Sequence, residues 1–184
     1  MRNLIIVGHP NYDTGSIANK KIIKELETRL TDASYINLSS LYPTFQIDVK
    51  AEQERLREVH NIVFEFPFYW YSMPGILKCY LDSVFTHGFA HGSQAVLSGK
   101  NLIYSFTTGA KDEEYAYGQA MNHPLSEFLT PFCQMAALCK LKFYEVHTCG
   151  MMYVPGISSD ADRIEVENKA QDHAARLIKL LEEI

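Results

Sequence analysis

Three clusters of side chains in this sequence are of the kind that hold a ligand. The first lies between residues 9 and 19, where His9, Thr14, Ser16 and Asn19 bring imidazole, hydroxyl and amide donors to a polar, turn-rich stretch. A helix beginning near Ser16 would add free backbone N–H groups and the positive end of its dipole, which together suit an anion such as a phosphate. The second is Phe68-Tyr69-Trp70-Tyr71, directly after Pro67. Aromatic rings in such a row suit a flat conjugated partner, because rings stack face to face or edge to face. The same rings would equally serve as core or as a dimer interface. The third is Thr107-Thr108-Gly109-Ala110, small residues that let backbone N–H groups approach a ligand edge.

The flanking elements decide whether these clusters can meet. Residues 3–8 (NLIIVG) are a short continuous apolar run, the pattern of a strand buried on both faces of a parallel sheet. Ser16 is placed to cap a helix whose stripe is Ile22, Ile23, Leu26 and Leu30, and a plain capped helix is the alternative reading of that segment. Further strands are expected at 35–38, 62–66, 101–106 and 141–146. Residues 39–48 read as an irregular loop and 51–59 as a short charged helix. Ile76, Leu77, Tyr80, Leu81, Val84 and Phe85 recur at helical spacing after Pro74-Gly75. One helix is expected over 124–138, and a last one opens at Ser159 with Asp162 three residues on.

Strands and helices thus alternate about five times. That order predicts an α/β fold, a five-stranded parallel sheet with helices on both faces and right-handed crossovers, as one domain over residues 1–184. In such a sheet ligands sit beyond the carboxyl ends of the strands, and all three clusters follow a strand. A phosphate cradle, a flat aromatic wall and an amide-rich rim describe a flavin mononucleotide site. No GxGxxG, GxxxxGK[ST] or GxSxG is present.

Composition narrows the class. The chain has 184 residues, 47% hydrophobic and 21% charged, with a net charge of −5. It shows no basic patch for nucleic acid. The apolar run at the amino terminus is too short for a signal peptide or a membrane span. Cys79, Cys133, Cys139 and Cys149 form no CxxC pair and read as thiols of a reducing compartment, so a cytoplasmic location is expected. The histidines show no ligand spacing, and no metal is expected.

The stretch FPFYWYSMPGILKCYLDSVFTHGFAHG, with GHPNYDTGSIANKKIIKELE, LYPTFQIDVKAEQERL and SFTTGA, resembles the flavodoxin-like NAD(P)H:quinone oxidoreductases. It is most similar to the bacterial subgroup of potassium-efflux ancillary proteins and general-stress quinone reductases. The resemblance implies a three-layer sandwich, a homodimer, and two-electron reduction of quinones by NADH or NADPH through bound FMN, with FAD as the alternative. It implies that His9, Ser16, Ile17, Ala18 and Asn19 hold the phosphate and ribityl chain. Pro67, Phe68, Tyr69, Trp70 and Tyr71 would line the ribityl and ring edge, and Thr107, Thr108, Gly109 and Ala110 the pyrimidine end. Tyr115 (or Tyr117) and His123 are the implied catalytic pair that steadies the reduced flavin. Relatives of the efflux type often carry Gln where Tyr69 stands, and family members usually carry Gly where Ala110 stands. Alanine there resists a positive φ. Rival readings are a regulatory subunit docked on a potassium-efflux membrane protein, a flavodoxin-type electron carrier, and azo or nitro reduction on the same flavin face.

Overall fold

A computed structural model describes residues 2–184. Five parallel strands form one sheet in the order β2-β1-β3-β4-β5: β1 (Asn3–Val7), β2 (Ala33–Asn37), β3 (Asn61–Pro67), β4 (Asn101–Thr107) and β5 (Lys142–Thr148). β1, β3 and β4 are buried along their whole length, which is why their sequences read as continuous apolar runs rather than alternating ones. The chain leaves β1 for the edge strand β2 and returns to β3 on the other side. The loops after β1 and β3 therefore diverge, opening a crevice at the carboxyl end of the sheet.

Two cores flank the sheet, sorted by side-chain parity along the strands. Leu4, Ile6, Phe64, Phe66, Tyr104 and Phe106 face one core with Leu77 and Tyr80 of α5 (Gly75–Val84) and Phe132 of α7 (Thr130–Leu138). α3 (Leu38–Leu41) and α4 (Val49–Arg57) complete that layer with Leu38 and Leu56. Ile5, Val7, Val63 and Ile103 face the other, with Ile22, Ile23 and Leu26 of α2 (Ala18–Arg29) and Ala170, Ala174, Leu177 and Ile178 of α8 (Asp160–Glu183). Gly8 ends β1 where α5 crosses closest: a Cβ there would stand 2.8 Å from the Leu77 Cβ.

Several sequence-based boundaries need correction. Ser16 does not cap α2, whose N-cap is Ile17; a one-turn helix α1 (Tyr12–Gly15) precedes it, and the Ser16 hydroxyl instead accepts the Lys20 N–H at 3.3 Å. The helix expected over 124–138 is two, α6 (Leu125–Phe128) and α7, because Pro131 has no N–H to continue the ladder across the junction. Residue 38, expected to end the strand, and residues 39–41, expected in a loop, form α3, capped by the Asn37 side chain on the Ser39 N–H. Ser159 and Asp162 do form the reciprocal capping box of α8.

Candidate functional site

A cleft of about 700 Å³ opens where the loops after β1, β3, β4 and β5 meet. Its size falls in the roughly 300–1,000 Å³ of small-molecule sites. Every one of the fourteen positions from His9 to Ala110 that the sequence marks for a cofactor lines it, and so does Tyr115.

The β1 loop builds the anion end. The first amides of a helix have no carbonyl one turn back. At α2, Lys20 N–H goes to the Ser16 hydroxyl and Lys21 N–H to the Ile17 carbonyl, leaving the amides of Ala18 and Asn19 for a ligand. His9 is buried beside them and accepts the Asn11 N–H on Nδ1 at 3.0 Å. That bond leaves Nε2 as the protonated, donating nitrogen. Burial, and then the Lys20 ammonium, hold the His9 pKa down to about 4, so the ring is neutral at physiological pH. Lys20 itself reaches back to the Asp13 carbonyl and lies over the Tyr12 ring, at the mouth of the cradle.

The β3 loop builds the wall. The Phe68 N–H bonds the Thr107 carbonyl at 2.8 Å, which ties the aromatic run to the end of β4. Phe68 is buried against Phe106 at 5.2 Å, and Tyr71 stacks on Phe128 at 5.1 Å. Trp70 and Tyr71 both hold positive φ, 49° and 62°, and Trp70 is 91% exposed. That strained turn swings Trp70 over the cleft rim instead of into the core. Only Phe68 of the four rings is core, so the reading of the whole run as core filler does not hold.

The β4 loop builds the rim. Thr108 N–H bonds the Thr148 carbonyl, Met151 N–H the Thr108 carbonyl and Gly150 N–H the Ala110 carbonyl, at 2.7–3.0 Å. The Thr108 hydroxyl closes the turn on the Ala110 carbonyl at 2.8 Å. The N–H groups of Gly109 and Ala110 take no part in this zipper. Ala110 is not among the residues with positive φ, so the alanine is accommodated without the strain its departure from the family motif suggested. Gly109 is the tighter position: a Cβ there would meet the Met152 methyl at 2.7 Å.

The structure separates the two catalytic candidates. Tyr115 is buried at the cleft with its pKa raised, mainly by burial, so its phenol stays protonated. His123 does not line the cleft. Its Nδ1 lies 2.8 Å from Glu127 on the surface, and its ring packs edge-on against Tyr117 and Phe128. Tyr117 is two-thirds exposed and also bonds Glu127.

Sequence reasoning missed Met151, Met152 and Tyr153, which close the cleft after β5. Reading past the carboxyl end of that strand, as for the other three, would have found them. It also missed a buried polar network under the cleft floor, where Asn19 Nδ2 bonds Glu65 Oε1 at 2.7 Å. The signal was a lone glutamate inside the apolar run IVFEFPF. A second depression lies behind the rim. There ligating atoms of Asp112, His147 and Cys149 come within 4.8 Å of one another, but Lys111, Lys169 and Arg176 share the wall and oppose a cation. Among the described residues no helix is long and apolar enough to cross a membrane.

Residues 1–177 match the family described as having a flavodoxin-like fold. This chain belongs to that family. It is 35% identical over 180 residues to the glutathione-regulated potassium-efflux system ancillary protein KefF of Salmonella enteritidis, spanning 95% of this chain and 94% of that one. It superposes with a TM-score of 0.86 on general stress protein 14 from Treponema denticola, solved in complex with FMN, at 31% identity over 98% and 99% of the two chains. A structure from P. pentosaceus described as an NADPH-quinone reductase matches with a TM-score of 0.75 and 28% identity over 92% and 98%.

Proposed function

We propose that this chain is a flavin-dependent NAD(P)H:quinone oxidoreductase that works through FMN in the cleft, with residues 1–184 forming one domain. The observation that carries the reading is that the α2 amides, the aromatic wall and the 107–110 turn open into one cleft. Likeness to an FMN-bound relative and to a quinone reductase supports it.

The donor set fits a flavin phosphate. The phosphate would take the amides of Ala18 and Asn19, the Ser16 hydroxyl and the neutral His9 Nε2–H. The N–H groups of Gly109 and Ala110, fixed by the zipper to residues 148–151, would receive the pyrimidine edge and steady negative charge there, as preorganised donors do in an oxyanion hole. Tyr115, protonated and near Thr108, is the side chain placed to donate a hydrogen bond to the reduced ring. Trp70 and Tyr71 form the open side over which a nicotinamide and then a quinone would stack in turn. When bound, FMN supplies hydride acceptance from NADH or NADPH and two-electron delivery to the quinone.

One face serving both substrates makes the kinetics ping-pong. Initial rates of NADPH oxidation at several fixed quinone concentrations should give parallel double-reciprocal lines; intersecting lines would require both substrates bound together and contradict the shared face. The exposed Trp70 at the rim supports a homodimer whose second subunit closes the cleft beside it and leaves the stacking side open to substrate. The likeness to KefF favours a second role, as a cytoplasmic subunit held at the inner membrane face by a potassium-efflux protein. Co-purification with such a membrane protein, unaffected by flavin removal, would establish that role.

A further inference from the structure

The chain buries two glutamates completely, and it treats them differently. Glu52 accepts hydrogen bonds from Tyr42 at 2.7 Å and Tyr80 at 3.3 Å and pairs with Arg55 at 3.2 Å. Glu65 has no cation of this kind. Its Oε1 accepts from Asn19, and its Oε2 has no hydrogen-bond partner of ordinary geometry. His173 of α8 stands close by, its Nε2 3.9 Å from Oε2. That ring is engaged elsewhere, with Ser105 on Nε2 at 2.7 Å and Thr148 on Nδ1 at 2.9 Å.

The other groups around Glu65 do not supply a charge to match it. Burial first, then Arg176 of α8 and His147 of β5, hold the His173 pKa down and keep that ring neutral. Arg176 itself is spent on the His147 carbonyl and the Thr148 hydroxyl. From the β1 loop, Tyr12 is a protonated phenol, with its pKa pushed up to about 12 by burial and then by Glu27, Glu65 and Asp13. Ser105, beside Glu65 on β4, is neutral. A buried carboxylate without a partner is expensive, and such a group takes up a proton instead. Burial raises the Glu65 pKa to about 8, against the smaller opposing pull of Ser105 and Asn19.

Resting on the flavin reading above, we propose that Glu65 is a positioning residue of the phosphate cradle that serves as a neutral carboxylic acid. Oε1 fixes Asn19, the residue that opens the cradle onto Thr107 with its Nδ2 at 3.5 Å from that hydroxyl. Ionisation would put an unmatched negative charge one side chain below the site of a phosphate dianion. Proton occupancy of Glu65 and phosphate occupancy of the cradle are therefore linked, each favouring the other.

The test is the FMN dissociation constant from pH about 6 to about 9.5, read by quenching of flavin fluorescence, for the wild type and for Glu65→Gln. Glutamine keeps an acceptor for Asn19 and cannot ionise. In the wild type Kd should climb above pH 8 with a slope approaching about tenfold per pH unit, while Glu65→Gln stays flat over the same range. Parallel profiles in the two proteins would overturn the proposal. A second measurement needs no cofactor: the protonated-carboxyl stretch in the infrared spectrum of the apoprotein at neutral pH. Its presence in the wild type and loss in Glu65→Gln supports the neutral acid, and its absence from the wild type refutes it. Failure of both proteins to bind FMN at pH about 6 would refute the flavin reading instead, and the proposed linkage with it.

Discussion

Glutamine in place of Glu65 should remove the alkaline decline in the stability of the cofactor-free chain. In the unfolded chain a glutamate ionises near 4.5; in this fold it does so only near 8. Between those values the unfolded state has released a proton that the folded state keeps. Stability therefore falls as pH rises through that window and levels off above it. Each pH unit is worth about 1.4 kcal/mol, so the full window costs at most about 5 kcal/mol. His173 acts in the opposite sense. Burial first, then Arg176 and His147, hold its pKa down to about 3 from 6.5. The unfolded chain takes up a proton the fold refuses, and stability falls as pH drops from 6.5 towards 3. Between 4.5 and 6.5 the two slopes cancel, so their joint contribution is a plateau there. Urea unfolding followed by circular dichroism, for both proteins at pH about 5.5 and about 8.5, checks the glutamate half. The advantage of Glu65→Gln over wild type should grow by about 3 kcal/mol between the two conditions. A difference that stays constant with pH would refute the reasoning, because it would mean that Glu65 titrates alike in the folded and unfolded chains.

Three further substitutions probe the scaffold. Gly8→Ala should lower stability by about 1–3 kcal/mol in the same unfolding assay, because its Cβ would meet the Leu77 Cβ, which the α5 backbone holds in place. Ser159→Ala should cost about 1 kcal/mol by removing the capping box of α8, with FMN affinity unchanged in a flavin titration. His123→Ala should leave FMN affinity and the rate of flavin reduction by NADPH unchanged, since the ring is paired with Glu127 outside the cleft; stopped-flow traces of the two proteins compare them directly.

How much of this was legible in the sequence follows from how local each signal is. The central strands announce themselves because both faces are buried, so Leu4 to Val7 and Ile62 to Phe64 are apolar without a break. The rule that ligands gather past the carboxyl ends of parallel strands then located three of the four loops that line the cleft. Short elements were lost. Nothing in the polar, glycine-ended Tyr12–Gly15 outweighs its loop composition, and the break at Pro131 lies inside an otherwise continuous apolar stripe. The spacing of His123 and Glu127 allows their i, i+4 contact, but that this pair stands outside the cleft lining was invisible, because only tertiary packing decides it. The state of Glu65 was invisible for the same reason: its burial and its missing counter-charge are set by Asn19, Ser105 and His173, 46, 40 and 108 positions away in the chain.

The central claim is that the cleft holds a flavin that NAD(P)H reduces and a quinone reoxidises. Anaerobic mixing of the FMN-reconstituted protein with NADH or NADPH, followed at the flavin absorption band, tests it most directly. The account predicts fast bleaching by one or both nucleotides and rapid recovery when a quinone is added. FMN that binds but is bleached by neither nucleotide would contradict it, and would leave the chain as an electron carrier or a regulatory subunit.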